Sequence, residues 1–361
     1  MHSLSEEIGL DGFYKESELP LLLKKRGMAI WSDGIVQILD RRQLPLSKEY
    51  ITCETTEDVA DAIESMVIQG AFSISIAAGY GLALTAQQNN TSMENINKAA
   101  QRLLLTRPTG LALSRVIALC LKKSEKAIKE NRSPLDEILY VTDKVASDLA
   151  KQARKTAEYA ISLIKCGDTI LTHCFPDRSY AYLLVEAKKK NMNLSFLCSE
   201  TRPYMQGTKL TSLCSSELGF ETHIISDGMG GALMQEGSVD SFITAADRVC
   251  MDGSIVNKIG TYQYALAADA NNLPYYVLRQ SGPDIESLNT EDVIIEKRSG
   301  DDLVSYGGKI IAPSGVKGLY PAFDITPPNL VNAIITDRGV FKANQIHTYQ
   351  DTSSFIDDSL I

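Results

Sequence analysis

The sequence has no CxxC pair, no Walker A pattern, no internal repeat, no low-complexity linker and no apolar run long enough to cross a membrane. Seven cysteines, at 53, 120, 166, 174, 198, 214 and 250, are odd in number and scattered. Neither a structural zinc nor a disulfide framework is therefore expected, and a reducing, cytoplasmic setting is. Positive charge is also short: 36 Lys and Arg stand against 45 Asp and Glu, for a formal net charge of -9. That balance argues against nucleic-acid and anionic-membrane surfaces, which need extended positive potential. A few local Arg and Lys residues still suffice to hold one small anion. The first thirty residues carry acids early and only the short run LPLLL, so they read as neither a signal peptide nor a membrane span.

What is present is enough for a large core. With 361 residues, 44% hydrophobic and 22% charged, the chain is expected to divide into two domains. Residues 29–51 read as a β-hairpin turning at Ser-Asp-Gly, followed by a Pro break. Thr55 with Asp58 makes a capping-box start for a helix carrying Val59, Ile63, Met66 and Val67 at helical spacing. The next stretch, GAFSISIAAGYGLALTA, reads as a tightly packed core helix, and residues 92–165 read as mostly helical with solvated charged faces. After Gly167 the texture changes to short apolar runs separated by helix-like stretches, the alternation of βαβ units. The expected fold is α/β. Residues 1–145 form a smaller N-terminal domain of β-hairpin plus helices, and residues 146–361 a doubly wound parallel-sheet, Rossmann-like catalytic domain.

In a parallel sheet the strand C-terminal ends share one edge, and ligands bind outside it. Cys174 closes the first apolar run, Glu200 and Arg202 the second, Asp227 the third and Asp247 the fourth. Asp227 suits a helix N-cap as well as it suits function, whereas Asp247 precedes Arg248 and Val249 rather than a helix start. His173 and Cys174 are adjacent on a strand and face opposite ways, which speaks against a Cys-His hydrolase pair. The other six cysteines read as inert packing. Two Thr-Arg-Pro tripeptides present Arg107 and Arg202 on extended backbone, and Asn257 with Lys258, read as opening a helix, offers an anion site. ISDGMGG has the strand, Gly-rich turn and helix of a dinucleotide site, but Leu233 replaces the third glycine.

TRPTG, ILTHC, ETRPYMQG, ISDGMGGALM, AADRVCMDGSIVNKIGTYQ and YPAFDITP resemble, in order, the signatures of the methylthioribose-1-phosphate isomerase family, over about residues 29–341. Ribose-1,5-bisphosphate isomerases and the alpha-type regulatory subunits of translation initiation factor 2B share that family's fold. The resemblance implies Cys174 and Asp247 as the catalytic pair, and sugar-phosphate contacts from Gln69, Gly70, Ala71, Arg107, Gln206, Asn257 and Lys258. It implies a homodimer with no cofactor and no metal. Two departures stand out: Gln69 occupies a position where the family has Arg, and the segment CFPDRSYAY after Cys174 is shortened. Arg178 in that segment is the candidate to restore the missing charge, its alternative being a surface ion pair.

The implied reaction converts a 1-phosphorylated aldose to a ketose. Asp247 would protonate the ring oxygen, which needs burial to lift its pKa well above about 4. If Cys174 is the base, nearby cations should lower its thiol from about 8.5. If hydrogen moves as hydride, the thiol only shapes the site. The competing readings are a non-catalytic initiation factor 2B-like subunit and an NAD-dependent dehydrogenase.

Overall fold

The computed structural model describes residues 7–351 apart from 90, 109 and 292. These fall into two compact units, divided between Lys151 and Gln152. In the first unit Ala29–Ser32 (β1) and Ile35–Leu39 (β2) pair antiparallel, with Ser32 opposite Ile35. That register leaves Asp33 and Gly34 as a two-residue turn with φ of 52° and 83°, the left-handed geometry that matches the twist of the flanking strands. A third strand, Tyr50–Cys53 (β3), joins β2 beyond the Pro break, which the hairpin reading did not anticipate. Thr56–Glu64 (α1) starts with the expected capping box: Asp58 N donates to Thr55 Oγ1 and Thr55 N donates back to the Asp58 carboxylate.

Ala71–Ala86 (α2) is the core helix foreseen, buried at every residue from Phe72 to Ala86. Met93–Leu105 (α3), Leu111–Lys129 (α4) and Pro134–Ala160 (α5) follow it in the chain. A Cβ at Gly79 would lie 2.4 Å from Thr142 Oγ1, and one at Gly81 would lie 3.1 Å from Val59. Glycine at these two positions is what lets the neighbouring helices approach so closely.

The second unit alternates strand and helix. In order come Thr169–Thr172 (β4), Asp177–Lys189 (α6), Ser195–Ser199 (β5), Ser212–Glu217 (α7), Glu221–Ile225 (β6), Gly230–Gln235 (α8) and Ser241–Ala245 (β7). Arg248–Val249 (β8), Ile255–Lys258 (β9), Thr261–Ala270 (α9) and Tyr275–Leu278 (β10) come next. The remaining elements are Lys297–Arg298 (β11), Asp301–Val304 (α10), Ser305–Tyr306 (β12), Lys309–Ile310 (β13), Tyr320–Pro321 (β14), Phe323–Thr326 (β15), Ala333–Thr336 (β16) and Gly339–Phe341 (β17). The main sheet has seven strands in the order β6-β5-β4-β7-β10-β16-β17, parallel except for β17. This is the doubly wound parallel sheet expected. A side sheet, β15-β9-β8, is antiparallel and sets Phe323 opposite Lys258 and Asp324 opposite Asn257, while the β11-β14 ribbon sets Arg298 opposite Tyr320.

Five of the six cysteines read as packing are buried, but Cys166 is exposed in the turn before β4. The apolar pattern around it marks the start of a strand and not its own depth. Among the described residues no helix is long and apolar enough to cross a membrane.

Candidate active site

From β4 the chain winds outward through β5 and β6; from β7 it winds the other way through β10 and β16. The order therefore reverses between β4 and β7, and at such a switch point the adjoining loops part and leave a crevice at the C-terminal edge. Thr172 pairs with Ile243, so Cys174, two residues past β4, and Asp247, two residues past β7, emerge at that one place.

The loops there are held in costly backbone. Cys174, Asp177, Thr201 and Met205 all have positive φ (64°, 56°, 61° and 58°) without being glycine, a conformation that persists only where surrounding contacts enforce it. Those contacts are visible. Cys174 N donates to Thr201 Oγ1 at 2.9 Å, and Thr211 Oγ1 donates to Cys174 O at 2.6 Å. Thr201 N and Arg202 N each donate to the Asp227 carboxylate at 2.8 Å. Asp227 is thus not a helix cap; it clamps the loop against which Cys174 rests. Gln206 leads into a π-helical turn, Gly207–Thr211, and its Oε1 is buried with no hydrogen-bond partner among the described residues.

His173 points away from this chemistry. Its Nε2 lies 2.8 Å from the Ile259 carbonyl, which can only accept, so Nε2 carries the proton and Nδ1 accepts from Ser199 Oγ at 2.5 Å. Burial pushes its pKa down to about 4, keeping the ring neutral.

The electrostatics centre on four groups. Water reaches the Asp247 carboxyl, yet dense protein surrounds it on its other sides, and this second condition decides its direction. Desolvation raises its pKa, as the acid role requires, against the lowering pull of Lys258, Arg298 and Arg279. Arg279 also donates to the carbonyls of Ala246 and Asp247, fixing the loop that carries the carboxyl. Cys174 does not show the lowered thiol that a base would need. Burial pushes it up to about 11, and Lys258 and Arg298, which pull the other way, do not offset the desolvation. Lys258 is 3% exposed and donates from Nζ to Tyr320 Oη at 2.7 Å. Its ammonium also lies 5.4 Å, 5.2 Å and 5.7 Å from the ring centroids of Tyr204, Tyr320 and Phe323. Arg298 stacks at 5.6 Å on Tyr204 and Phe323 and grips Glu296 with Nε and Nη2.

Three further expectations need correction. Asn257 and Lys258 end β9 instead of opening a helix, and the N-terminus of α9 is not free for a phosphate. The amides of Gly260 and Tyr262 already donate to Asp324 Oδ2, at 2.7 Å and 3.1 Å. The Gly-rich turn at 228–231 follows β6, the edge strand, and a Cβ on Gly230 would meet Tyr264 at 2.2 Å, so that glycine serves packing and not a pyrophosphate. Arg178 is 2% exposed in the first turn of α6, with its guanidinium 5.9 Å from the Tyr182 ring centroid, so it lies in the interior and not on the surface. Arg298, Tyr204, Tyr320 and Phe323 were missed as site residues. The sequence marks YPAFDITP as a motif but assigns it no role, and EKR lies in a stretch of no periodicity.

In the first unit, Gly70 (φ 90°, ψ 132°) is the N-cap of α2 and offers no side chain to its first amides. Gln69, 7% exposed, donates from Nε2 to Met66 O at 3.2 Å, and its Oε1 is buried with no hydrogen-bond partner among the described residues. Arg107 folds back onto its own unit, donating to Ile63 O at 2.8 Å and to Thr106 O at 3.1 Å.

The profile of the initiation factor 2 subunit family matches residues 67–343. Methylthioribose-1-phosphate isomerase of Thermotoga maritima is 37% identical over 325 residues, covering 86% of this chain and 94% of that protein. The crystal structure of 5-methylthioribose 1-phosphate isomerase from Pyrococcus horikoshii superposes with a TM-score of 0.79 at 31% identity, covering 94% of this chain and 98% of that one. That of translation initiation factor eIF-2B subunit delta from A. fulgidus gives 0.73 at 34% identity, covering 90% and 97%. The chain belongs to the initiation factor 2 subunit family, alongside relatives that carry the name methylthioribose-1-phosphate isomerase.

Proposed function

We propose that the protein is an aldose-ketose isomerase of a 1-phosphorylated pentose, converting S-methyl-5-thioribose 1-phosphate to S-methyl-5-thioribulose 1-phosphate or acting on a close analogue such as 5-deoxyribose 1-phosphate. The observation that supports it most is the meeting of Cys174 and an Asp247 carboxyl of raised pKa at the switch point, with Lys258 and Arg298 beside them. Phosphate on the C1 oxygen holds the sugar in its ring. Asp247, protonated, gives its proton to the ring oxygen as the C1–O bond breaks. The C2 hydrogen passes with its electron pair to C1, and the C2 hydroxyl returns a proton to Asp247 as its carbon becomes the carbonyl. No outside base or oxidant is needed, which suits a thiol held near 11 and therefore neutral at ordinary pH. In this reading Cys174 shapes the site, while Gln69, Gly70, Ala71, Arg107, Gln206, Asn257 and Lys258 contact the sugar phosphate. Arg178, buried in the first turn of α6 a few residues past Cys174, is a further candidate contact to the substrate.

A second reading, a non-catalytic initiation factor 2B-like subunit, is favoured by the similarity to the A. fulgidus delta subunit. Incubating the protein with methylthioribose 1-phosphate and following the C2 carbonyl by NMR separates the two. A ketose supports the isomerase, and no turnover of any pentose 1-phosphate assigns the regulator. We also propose a cytoplasmic homodimer; light scattering at the mass of a single 39.5 kDa chain would refute the dimer.

A further inference from the structure

The most deeply buried cation of the first unit lies at the start of α2. Arg41 is 1% exposed, and its guanidinium spans the residues on either side of Gly70: Nη1 donates to Gln69 O at 2.5 Å, and Nη2 donates to Ser73 Oγ at 2.8 Å and to Gly27 O at 3.1 Å. Ser73 is the third residue of α2. The group therefore braces the first helical turn, whose N-cap Gly70 offers no side-chain cap to its amides. Two consequences follow from this placement. Tying down the Gln69 carbonyl fixes the turn at Gly70, where φ of 90° suits glycine, and so fixes the direction of the first α2 amides. A full positive charge beside a helix N-terminus also adds to the helix dipole, which favours an anion at that end.

We infer that Arg41 is a positioning residue for the substrate phosphate, supplying from beside the turn the positive charge that the isomerase family carries at position 69, where this chain has Gln69. The inference rests on the isomerase reading for its substrate and on Arg41 geometry for its content. It also displaces Arg178 as the compensating arginine, since Arg41 is bonded to the very residue that lost the charge. Gln69 keeps only a neutral amide there. An arginine at both positions would set two cations around one short turn, and one at neither would leave the phosphate end without its cation.

The test is an exchange. Inorganic phosphate is titrated into wild type, Arg41→Gln, Arg41→Lys and the double variant Arg41→Gln/Gln69→Arg, with steady-state kinetics on methylthioribose 1-phosphate alongside. Arg41→Gln is expected to weaken phosphate binding and raise KM tenfold or more, with kcat changed less than about threefold. Adding Gln69→Arg should return both to within about threefold of wild type, because the charge reappears at the same turn. Arg41→Lys, which keeps the charge and changes the hydrogen bonding, should stay within about threefold, and it decides the matter if Arg41→Gln does not fold. Unchanged phosphate affinity in Arg41→Gln, a tenfold loss in folded Arg41→Lys, or a loss that Gln69→Arg leaves unrepaired would each overturn the inference, the last by showing that Arg41 only holds the loop. If the wild type binds phosphate but turns over no sugar, the isomerase reading fails while the phosphate titrations still judge Arg41.

Discussion

Two buried groups in the second unit should give stability opposite pH dependences over the same range. His173 is held neutral by burial, its pKa falling from 6.5 to about 4. The unfolded chain takes up the proton first on acidification, so this stabilisation is complete above 6.5 and is lost as pH falls toward 4. The lost amount is roughly 3 kcal/mol, from about 1.4 kcal/mol per unit. Asp324 runs the other way. Burial raises it from 3.8 to about 6, against the hydrogen bonds from Tyr262 and Gly260. Here the folded state holds the proton more tightly, and stability falls by roughly 3 kcal/mol as pH rises from 3.8 to 6. Between pH 4 and 6 the two nearly cancel. The single variants should unmask them in urea unfolding followed by circular dichroism at half-unit pH steps. The cost of His173→Asn relative to wild type should be larger at pH 7 than at pH 4 by roughly 3 kcal/mol, and Asp324→Asn should be more favourable at pH 7 than at pH 4 by a similar amount. Curves for both variants that run parallel to wild type within about 1 kcal/mol would refute the assignment of these protonation states.

Asp247→Asn should cut kcat by about two to four orders of magnitude in a protein that still folds, and wild-type turnover should decline as pH rises through the raised Asp247 pKa; a flat alkaline limb would deny it the acid role. Cys174 should react slowly with iodoacetamide at pH 7 and faster toward pH 11, read site by site by mass spectrometry because exposed Cys166 reacts as well; Lys258→Met should move the Cys174 midpoint upward, and no movement would mean that the ammonium does not act on the thiol. Gly230→Ala should destabilise the protein by about 1–3 kcal/mol, since its Cβ meets Tyr264 at 2.2 Å and Tyr264 Oη bonds Asp227 O; an unchanged melting temperature would show that the ring can move aside. Arg178→Ala should raise KM about tenfold, and an unchanged KM would confine Arg178 to packing.

The parts legible in the sequence are those in which a local rule and the tertiary environment agree. The Ser-Asp-Gly turn, the Thr55–Asp58 capping box and the apolar α2 state their geometry within a few residues. The short apolar runs after Gly167 likewise announce strands, buried in the sheet centre at β4, β5 and β7 but exposed along β6 at the edge. Cys174 and Asp247 could be placed at a sheet edge because strand ends are legible even when strand order is not. The β3 strand was missed because the pairing that recruits it to β2 is not local, and Asn257–Lys258 was misassigned because nothing in VNKIG says whether a strand ends or a helix begins.

The sequence leaves the state of the thiol open for a reason that bears on the chemistry itself. From the sequence, cations near Cys174 could be counted, but the desolvation they must overcome could not, since that depends on how many chain segments converge on one point. In the structure Lys258 is itself desolvated, with its own pKa lowered and its ammonium facing three rings, so the cation that would stabilise a thiolate is short of solvation too. Placing a negative sulfur beside a dianionic phosphate in the same crevice would add like-charge repulsion to that cost. A site built this way favours a neutral thiol and a carboxyl that cycles one proton, with the cations held beside them by Tyr320 and Glu296. These resting electrostatics fit the proposed route in which hydrogen crosses from C2 to C1 with its electrons better than one that needs a thiolate base.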